Sequence, residues 1–578
     1  MKKVIFLFLL LNHQCYTQIT TLKLHQKISK EFKAGQVDKY IIPLIKGQFA
    51  SINIKQASVG LAYSVYAPID SLTEISDFNA LFESEIVTID APKSGDYRVE
   101  VFWDYGRPQA GKYSILLDKL SISGKSNVEK ANQLMEAWYP DINAPGAAIM
   151  VVQNGKSIYK STKGLADLEN KIPITNNSAF ELASVSKQFV GFAIAFLIDE
   201  GKISLSDDIR KYLPELPEFE YKISVSNLVY HTSGLFNWDQ ETMSMGYQND
   251  DVVRMDMIKK MLMHHTKLHF KPGDRFSYCN TGYNILAMTV EKISGETFAN
   301  WMQMHAFNPL GMKNTFINDR VGKLFPHKVN SYESDEHGFY MRNNNYAAPG
   351  STGVVTSIDD LLLWTNNYTN HKVGNENVFK IINSDGFTSD DKKTPGGFGQ
   401  FVNYPGGIKK IDHMGLTLGY RTGVARFPDQ KIAVIFLSNT GDDATYQHFY
   451  QMCNVFLKNV KTEPIKLSPF PDLNEFLVKT KPILPEISKT DLSAWSGIYY
   501  SDELNVSYKI NFEEGVLSLD LPRLETVYLI AEGEDSFVST FQKNTDRQFV
   551  FHRNIANKIT GFTLNGGGER GIEFEKVR

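Results

Sequence analysis

From about residue 22 to residue 120, apolar and polar positions alternate with a period of two. The runs are Ile52 and Ile54; Val59, Leu61, Tyr63 and Val65; Tyr97, Val99, Val101 and Trp103; and Tyr113, Ile115 and Leu117. Such alternation turns every second side chain to one face of a strand. Turns at Ser94-Gly95-Asp96 and Gln109-Ala110-Gly111 separate the runs, so the segment predicts a β-sandwich of about 100 residues. Ser121-Ile-Ser-Gly124-Lys-Ser-Asn127 then reads as a linker, with Asn127 capping a helix that starts near Val128. The periodicity changes here. Val190-Gly-Phe-Ala-Ile-Ala-Phe-Leu-Ile198 is apolar almost all round, as a core helix requires, and Gly201 is placed to stop it. Helical and strand patterns mix as far as Lys461, and Ile432 to Leu437 is an unbroken apolar strand, which implies a central α/β (α+β) domain. Pro464, Pro469, Pro471, Pro482 and Pro485 mark an irregular connector. After Leu492 the period of two returns in Tyr508-x-Ile510-x-Phe512, Val516-Leu-x-Leu519-x-Leu521, Phe549-x-Phe551, Ile559 to Leu564 and Ile572-x-Phe574. That pattern predicts a small antiparallel barrel or half-barrel.

The amino terminus changes the picture of where the chain works. Met-Lys-Lys is followed by Val4 to Leu11, apolar throughout, and then by polar residues. The apolar stretch is too short to span a bilayer and reads as a secretory leader. Residues 1–18 are therefore expected to be a signal peptide, followed by a sandwich at 22–122, a central domain at 128–461, a linker at 462–490 and a β domain at 491–578. Cys15 raises lipidation, but Asn12-His13-Gln14 before it lacks small residues. The expectation is an exported, soluble protein, periplasmic or secreted, rather than a lipoprotein. At 578 residues, with 42% hydrophobic and 22% charged positions and a formal net charge of −4, the chain needs several cores. It shows no basic run interleaved with aromatics, so nucleic acid is not an expected partner. Past the leader only Cys279 and Cys453 remain, too few for a disulfide framework.

The candidate chemistry begins at Glu181-Leu-Ala-Ser184-Val-Ser-Lys187, immediately before the core helix. A serine and a lysine at i and i+3 share one face of a helical turn. The amine and the positive end of the helix dipole can then activate the hydroxyl without a histidine. The spacing alone is cheap, since Ser157-x-x-Lys160 and Ser389-x-x-Lys392 repeat it. The first of these follows the hairpin signal Asn154-Gly155 and the second lies in a charged loop, so both are set aside. A second element is Lys271-Pro-Gly273-Asp-Arg-Phe276-Ser-Tyr278-Cys-Asn280-Thr-Gly-Tyr283, which ends at a helical pattern running from Asn284. The third is Ile411-Asp-His413-Met-Gly415-Leu-Thr-Leu-Gly-Tyr420. It holds the single histidine of thirteen that has glycine two residues later.

Taken in this order, Ser184-x-x-Lys187, Tyr278-x-Asn280 and His413-x-Gly415 resemble the three motifs of the class C β-lactamase-related serine hydrolases, a family that includes penicillin-binding proteins, D-alanyl-D-alanine carboxypeptidases, D-amino-acid peptidases and esterases. Pro145-Gly146-Ala147-Ala148, Gly164-Leu-Ala-Asp167, His231-Thr-Ser-Gly-Leu235 and Gly353-Val-Val-Thr-Ser357 extend the likeness over about residues 128 to 460. The segment before it resembles the sandwich modules appended to secreted bacterial hydrolases. The resemblance implies a β-lactamase/transpeptidase-like domain with an antiparallel sheet and flanking helices. It makes Ser184 the nucleophile of an acyl-enzyme. Tyr278, with its proton affinity lowered by a nearby Lys187 ammonium, or Lys187 itself, is then the acylation base. Asn280 is expected to donate to the substrate's acyl amide, and His413 to replace the family's third-motif lysine. The oxyanion hole falls to the backbone N–H groups of Ser184 and Leu416.

One departure bears on substrate. The family usually has threonine where this chain has Met414, and His413 need not be charged at neutral pH. Tight holding of a carboxylate is therefore less secure, and Met414 with Gly415 would line an apolar, adaptable wall. Trp238 is read as bordering the cleft or filling the core. Cys279 is read as a packed thiol. His264, His265 and His269 are read as an exposed helical face rather than a metal site. No cofactor or metal is expected. The resulting expectation is an exported serine hydrolase acting on ester or amide bonds of D-amino-acid, peptide-like or simple ester substrates. A β-lactamase and a non-catalytic penicillin-binding or cell-wall-peptide sensor are the alternatives. The β domains at either end are expected to contact cell wall or glycan.

Overall fold

The computed structural model describes residues 19–32, 36–57, 61–68, 74–78, 84–103, 111–248, 250–335, 337–442, 445–457, 492–513, 516–521, 526–541, 545–566 and 569–577. The expected leader with Cys15, Val59, the turn residues Gln109 and Ala110, and the proline-rich connector lie outside them. The described residues pack as two compact units. One takes everything up to Pro140 plus the helix Thr445–Leu457; the other takes 141–441 and 492–577.

In the first unit two sheets face each other. The five-stranded sheet has the order Thr20–Thr21, Val37–Leu44, Gly95–Trp103, Leu61–Tyr66, Glu74–Phe78. The four-stranded sheet has the order Lys27–Phe32, Gly111–Ile122, Gln48–Ala57, Ser84–Asp90. Inward positions of both sheets, among them Tyr40, Ile42, Ile52, Ile54, Val99, Val101, Ile115 and Leu117, form one buried core. Asp38 points inward as well and is answered there: Lys30 Nζ donates to it at 2.9 Å and Tyr113 Oη at 2.5 Å. A buried charge needs such partners. The last strand runs to Ile122, so less of the expected linker is loop. The helix that follows, Asn127–Trp138, is capped by Ser126 and not by Asn127. Ser126 Oγ accepts from Glu129 N at 3.2 Å while Glu129 Oε2 accepts from Ser126 N at 3.0 Å, a reciprocal box that Asn127 has no glutamate to complete. This helix and Thr445–Leu457 belong to the same unit as the sandwich, with Trp138 stacked on His448 at 4.4 Å.

The second unit is built on a seven-stranded antiparallel sheet. In chain order its strands are β1 Ala147–Gln153, β2 Lys156–Lys163, β3 Gly396–Gly397, β4 Gln400–Asn403, β5 Lys410–Thr417, β6 Tyr420–Phe427 and β7 Ile432–Ser438. In space they run β2-β1-β7-β6-β5-β4-β3. The central strands β1, β6 and β7 are buried along almost their whole length, which explains their continuous apolar runs. The helices that matter to the site are α1 Lys187–Asp199, α2 Trp238–Ser244, α3 Met255–His264 and α4 Asn280–Ser294. In α1 every residue from Lys187 to Ala195 is buried. Gly191 is needed there: a Cβ would lie 2.1 Å from the Phe398 carbonyl oxygen. Beyond residue 491 the expected barrel or half-barrel is a closed barrel of eight strands, Gly497–Ser501 through Glu569–Lys576, each beside its sequence neighbour. Tyr499, Tyr508, Phe549, Phe562 and Phe574 belong to the core that fills it. Among the described residues no helix is long and apolar enough to cross a membrane.

Candidate active site

Ser184 lies in the short 3₁₀ turn Ala183–Ser186 that leads into α1. The turn is held in an unusual conformation, since Ala183 has φ 48, a left-handed setting costly for a residue with a Cβ. Its surroundings over-determine it. Gly415 of β5 packs directly against the turn, where a Cβ would sit 2.1 Å from the Leu182 carbonyl oxygen. Thr422 Oγ1 of β6 donates to that same oxygen at 2.7 Å. On the other side Glu181 Oε1 accepts from Gly353 N at 2.8 Å and from Thr352 Oγ1 at 2.9 Å. Burial pushes the Glu181 carboxyl up to about 7.

Four of the expected residues come together. Lys187 Nζ donates to Ser184 Oγ at 3.2 Å, to Asn280 Oδ1 at 2.7 Å and to the Ser351 carbonyl at 2.8 Å. The amine is buried, and burial pulls its pKa from 10.5 down to about 7 against the opposing pull of the Asp239 carboxylate. The Tyr278 hydroxyl is hydrogen-bonded to Ser184, so the serine oxygen sits between an amine and a phenol. Asn280 is the first residue of α4, which starts four residues earlier than the sequence pattern placed it. Its backbone N–H donates to Asn237 Oδ1 at 2.7 Å.

Tyr278 differs from expectation. Burial raises its pKa well above 10, and the neighbouring Asp239 carboxylate pushes the same way. The Lys187 amine lies over the face of the ring, 4.8 Å from its centroid. There it gains from the ring quadrupole. His231 stacks on the same ring, with ring centroids 4.6 Å apart. The hydroxyl of Tyr278 therefore keeps its proton in the free enzyme.

His413 sits on β5, buried, 6.1 Å from Tyr278 and 5.0 Å from Phe401 between ring centroids. Its Nδ1 donates to the Met414 carbonyl at 2.6 Å, leaving Nε2 without a hydrogen-bond partner. Burial, with Lys187 nearby, pulls its pKa down to about 3. It is a neutral imidazole with a bare acceptor nitrogen. By strand alternation Met414 and Leu416 take the opposite face of β5 from His413 and Gly415. Met414 is part-buried and the Leu416 side chain is 48% exposed. Trp238 is a core residue behind the site: its Nε1 donates to Ser351 Oγ at 3.4 Å. Cys279 is buried, with its thiol on the carbonyls of Leu235 and Phe236 at 3.7 and 3.3 Å and its pKa pushed up to about 11 by burial. The two look-alike motifs are not at the site. Ser157 and Lys160 are exposed on β2, and Ser389 and Lys392 lie in a loop.

The sequence reading missed Ser351, Glu181 and Asp239, none of which belongs to the three motifs. It also misplaced His265. That residue follows the last residue of α3 and is 2% exposed. His269 lies beyond the helix, so the two are not one helical turn apart. The His265 Nε2 lies 2.7 Å from Glu241 Oε2 and 3.6 Å from Glu503 Oε1 of the barrel. Its Nδ1 faces the Met261 carbonyl at 2.7 Å and must donate there. With Nδ1 engaged there, Nε2 faces the Glu241 carboxyl, whose pKa burial raises well above 4.5. The barrel also reaches α2 directly, since Tyr508 Oη donates to the Ser244 carbonyl at 2.7 Å. His265→Ala strands the buried Glu241 carboxyl and is expected to cost about 3 kcal/mol. A melting temperature equal to that of the parent protein would contradict this account. Among the described residues no group of three or more His, Cys, Asp or Glu side chains could hold a metal ion.

A family model described as Beta-lactamase matches residues 128–449, more than half of the chain. The chain is 27% identical over 354 residues to Penicillin-binding protein 4* of Bacillus subtilis, covering 56% of this chain and 74% of that one. It is 24% identical over 503 residues to D-aminopeptidase of Brucella ovis, covering 75% of this chain and 96% of that one. In fold it resembles the octameric penicillin-binding protein homologue from Pyrococcus abyssi, with a TM-score of 0.51 at 20% identity over 78% of this chain and 100% of that one. The chain belongs to the β-lactamase family of serine hydrolases.

Proposed function

We propose that this protein is an exported hydrolase that cleaves ester or amide bonds through an acyl-enzyme on Ser184, with D-amino-acid, peptide-like or simple ester substrates. The observation that carries the reading is the contact of Ser184 Oγ with an amine pulled down to about 7. At neutral pH about half of such an amine is free base. Lys187 takes the Ser184 proton as Oγ adds to the carbonyl carbon. The backbone N–H groups of Ser184 and Leu416 receive the oxyanion. Tyr278, still carrying its proton, gives it to the leaving amine or alkoxide, and the Lys187 ammonium returns a proton to the site. Water then enters with the same groups acting in reverse. Asn280 holds Lys187 through Oδ1 and offers its amide N–H to the substrate.

His413 bears on the choice of substrate. A neutral ring with a bare Nε2 accepts a hydrogen bond and does not attract a carboxylate. The aromatic rings of Phe401 and Tyr278 beside it favour an apolar group. This supports a peptidase or esterase over a β-lactamase, as does the coverage of the Brucella ovis D-aminopeptidase along 96% of its length. The sandwich and barrel are read as accessory domains, and the amino-terminal segment as the export signal.

A panel of D-amino-acid p-nitroanilides, p-nitrophenyl esters and nitrocefin tests the proposal. The neutral esters and D-anilides are expected to exceed nitrocefin in kcat/KM by at least about tenfold, the weight of one lost charge-assisted contact. Nitrocefin as the best substrate would overturn the specificity. Stable acylation of Ser184 without turnover would point instead to a sensor.

A further inference from the structure

The Asp239 carboxylate has no role in the scheme above, yet it sits beside it. Asp239 is the second residue of α2. The starts of α2 and α4 are stitched together by Asn280 N to Asn237 Oδ1 at 2.7 Å and by Trp238 N to Thr281 Oγ1 at 3.0 Å. Between those two bonds Asp239 holds the Asn280 side chain, while its Oδ1 is buried with no hydrogen-bond partner. The Asn280 Oδ1 is already taken by Lys187 Nζ at 2.7 Å, so the group that reaches Asp239 is the Nδ2 amide.

An asparagine amide can turn over with little steric consequence, because its oxygen and nitrogen are nearly the same size. Turned over, it would set N–H groups against the Lys187 amine and remove that acceptor. A carboxylate accepts and does not donate, so Asp239 permits one orientation. Its charge also matters. The titratable groups that face Lys187 are Asp239 on α2, Tyr278, Cys279 and Tyr283 at α4, His231, and His413 on β5. Those that face Asp239 are Lys187, Glu241, Tyr278, Cys279 and Tyr346. Burial holds Tyr278, Cys279, Tyr346 and Glu241 in their protonated forms and His231 and His413 in their neutral ones. Burial raises the Asp239 carboxyl as well, but the Asn280 amide and the Lys187 ammonium oppose it, so Asp239 is the negative charge beside the desolvated amine.

We propose that Asp239 is a positioning residue that fixes the Asn280 amide with Oδ1 toward Lys187 and, through that amide, sets the basicity of Lys187. The proposal rests on Lys187 being the base toward Ser184. Without Asp239 the amine loses the main charge that opposes its desolvation, so its proton affinity falls and the pH limb that it controls moves toward acid.

The test is the rate of Ser184 labelling by a fluorophosphonate between about pH 5 and pH 10, the range in which a perturbed lysine titrates. The parent protein is expected to be labelled at Ser184 with an ascending limb near pH 7. If it is not, the parent reading fails and not this one. In Asp239→Asn the limb is expected to move down by about one unit, with the plateau lowered about three- to tenfold as the base weakens. Asp239→Glu, which restores the charge, is expected to return the limb toward the parent position. A limb within about 0.3 unit of the parent in Asp239→Asn overturns the proposal whether or not the rate falls, because a merely structural role would lower the rate without moving the limb. If Asp239→Asn is recovered unfolded, Asp239→Ser takes its place, smaller and still an acceptor, and is read by the same limb.

Discussion

Replacing Ser184 by alanine is expected to abolish fluorophosphonate labelling and to lower kcat on the best ester by roughly 10⁴-fold or more, as loss of a nucleophile does in other serine hydrolases. The expectation follows from the isolation of this oxygen. It is the hydroxyl on which both the Lys187 amine and the Tyr278 phenol converge, and the turn that carries it is locked by Gly415, Thr422 and Glu181. KM should change little, since the methyl group of alanine fits wherever the hydroxyl did. Intact mass of the parent after labelling would show one adduct, and the variant none. Labelling that persists in Ser184→Ala would remove Ser184 from the mechanism, and with it the meaning of the geometry around Lys187.

Lys187→Met should cost about 10²- to 10⁴-fold in kcat/KM, the usual range for removing a positioned base. The parent should gain rate as pH rises through about 7, where Lys187 loses its proton. The sign is fixed by the role: a base works when deprotonated, so activity is lost on the acid side. In Lys187→Met that limb should vanish, leaving a slow and flatter profile. Methionine fills the buried volume of the lysine stem without a charge, so the fold should survive the change. An unchanged limb in Lys187→Met would shift the base assignment to another group. Tyr278 is then the first alternative, even though burial holds its proton.

Much of this site is legible in the sequence, because each motif carries its own local reason. A serine and a lysine at i and i+3 meet on one turn wherever that turn is placed. The apolar run after Lys187 predicts a buried helix, and every residue from Lys187 to Ala195 is buried. The parts that escaped notice depend on encounters between distant segments. His265 looked like one of three surface histidines, and only the barrel residue Glu503, far along the chain, together with Glu241 of α2, gives it a buried partner. Asp239 has no spacing that marks it, because its partner Asn280 belongs to another helix. Tyr278 failed in sign for a similar reason. Proximity of Lys187 was inferred correctly, but burial of the phenol, set by the packing of distant segments, outweighs it and raises the pKa. Ser126 took the cap expected of Asn127 because Glu129 stands three residues after Ser126.

The seven-stranded sheet has a consequence for the enzyme in concentrated solution. An exposed strand edge invites pairing with another molecule. Here one edge, β3, is only two residues long. The other, β2, carries Lys156, Lys160 and Lys163, with Lys160 tied to Asp359 at 2.9 Å. A second sheet approaching β2 would have to bury lysine charges along its whole length. The barrel, being closed, offers no edge to pair. These edges of the second unit are thereby guarded against pairing with another sheet.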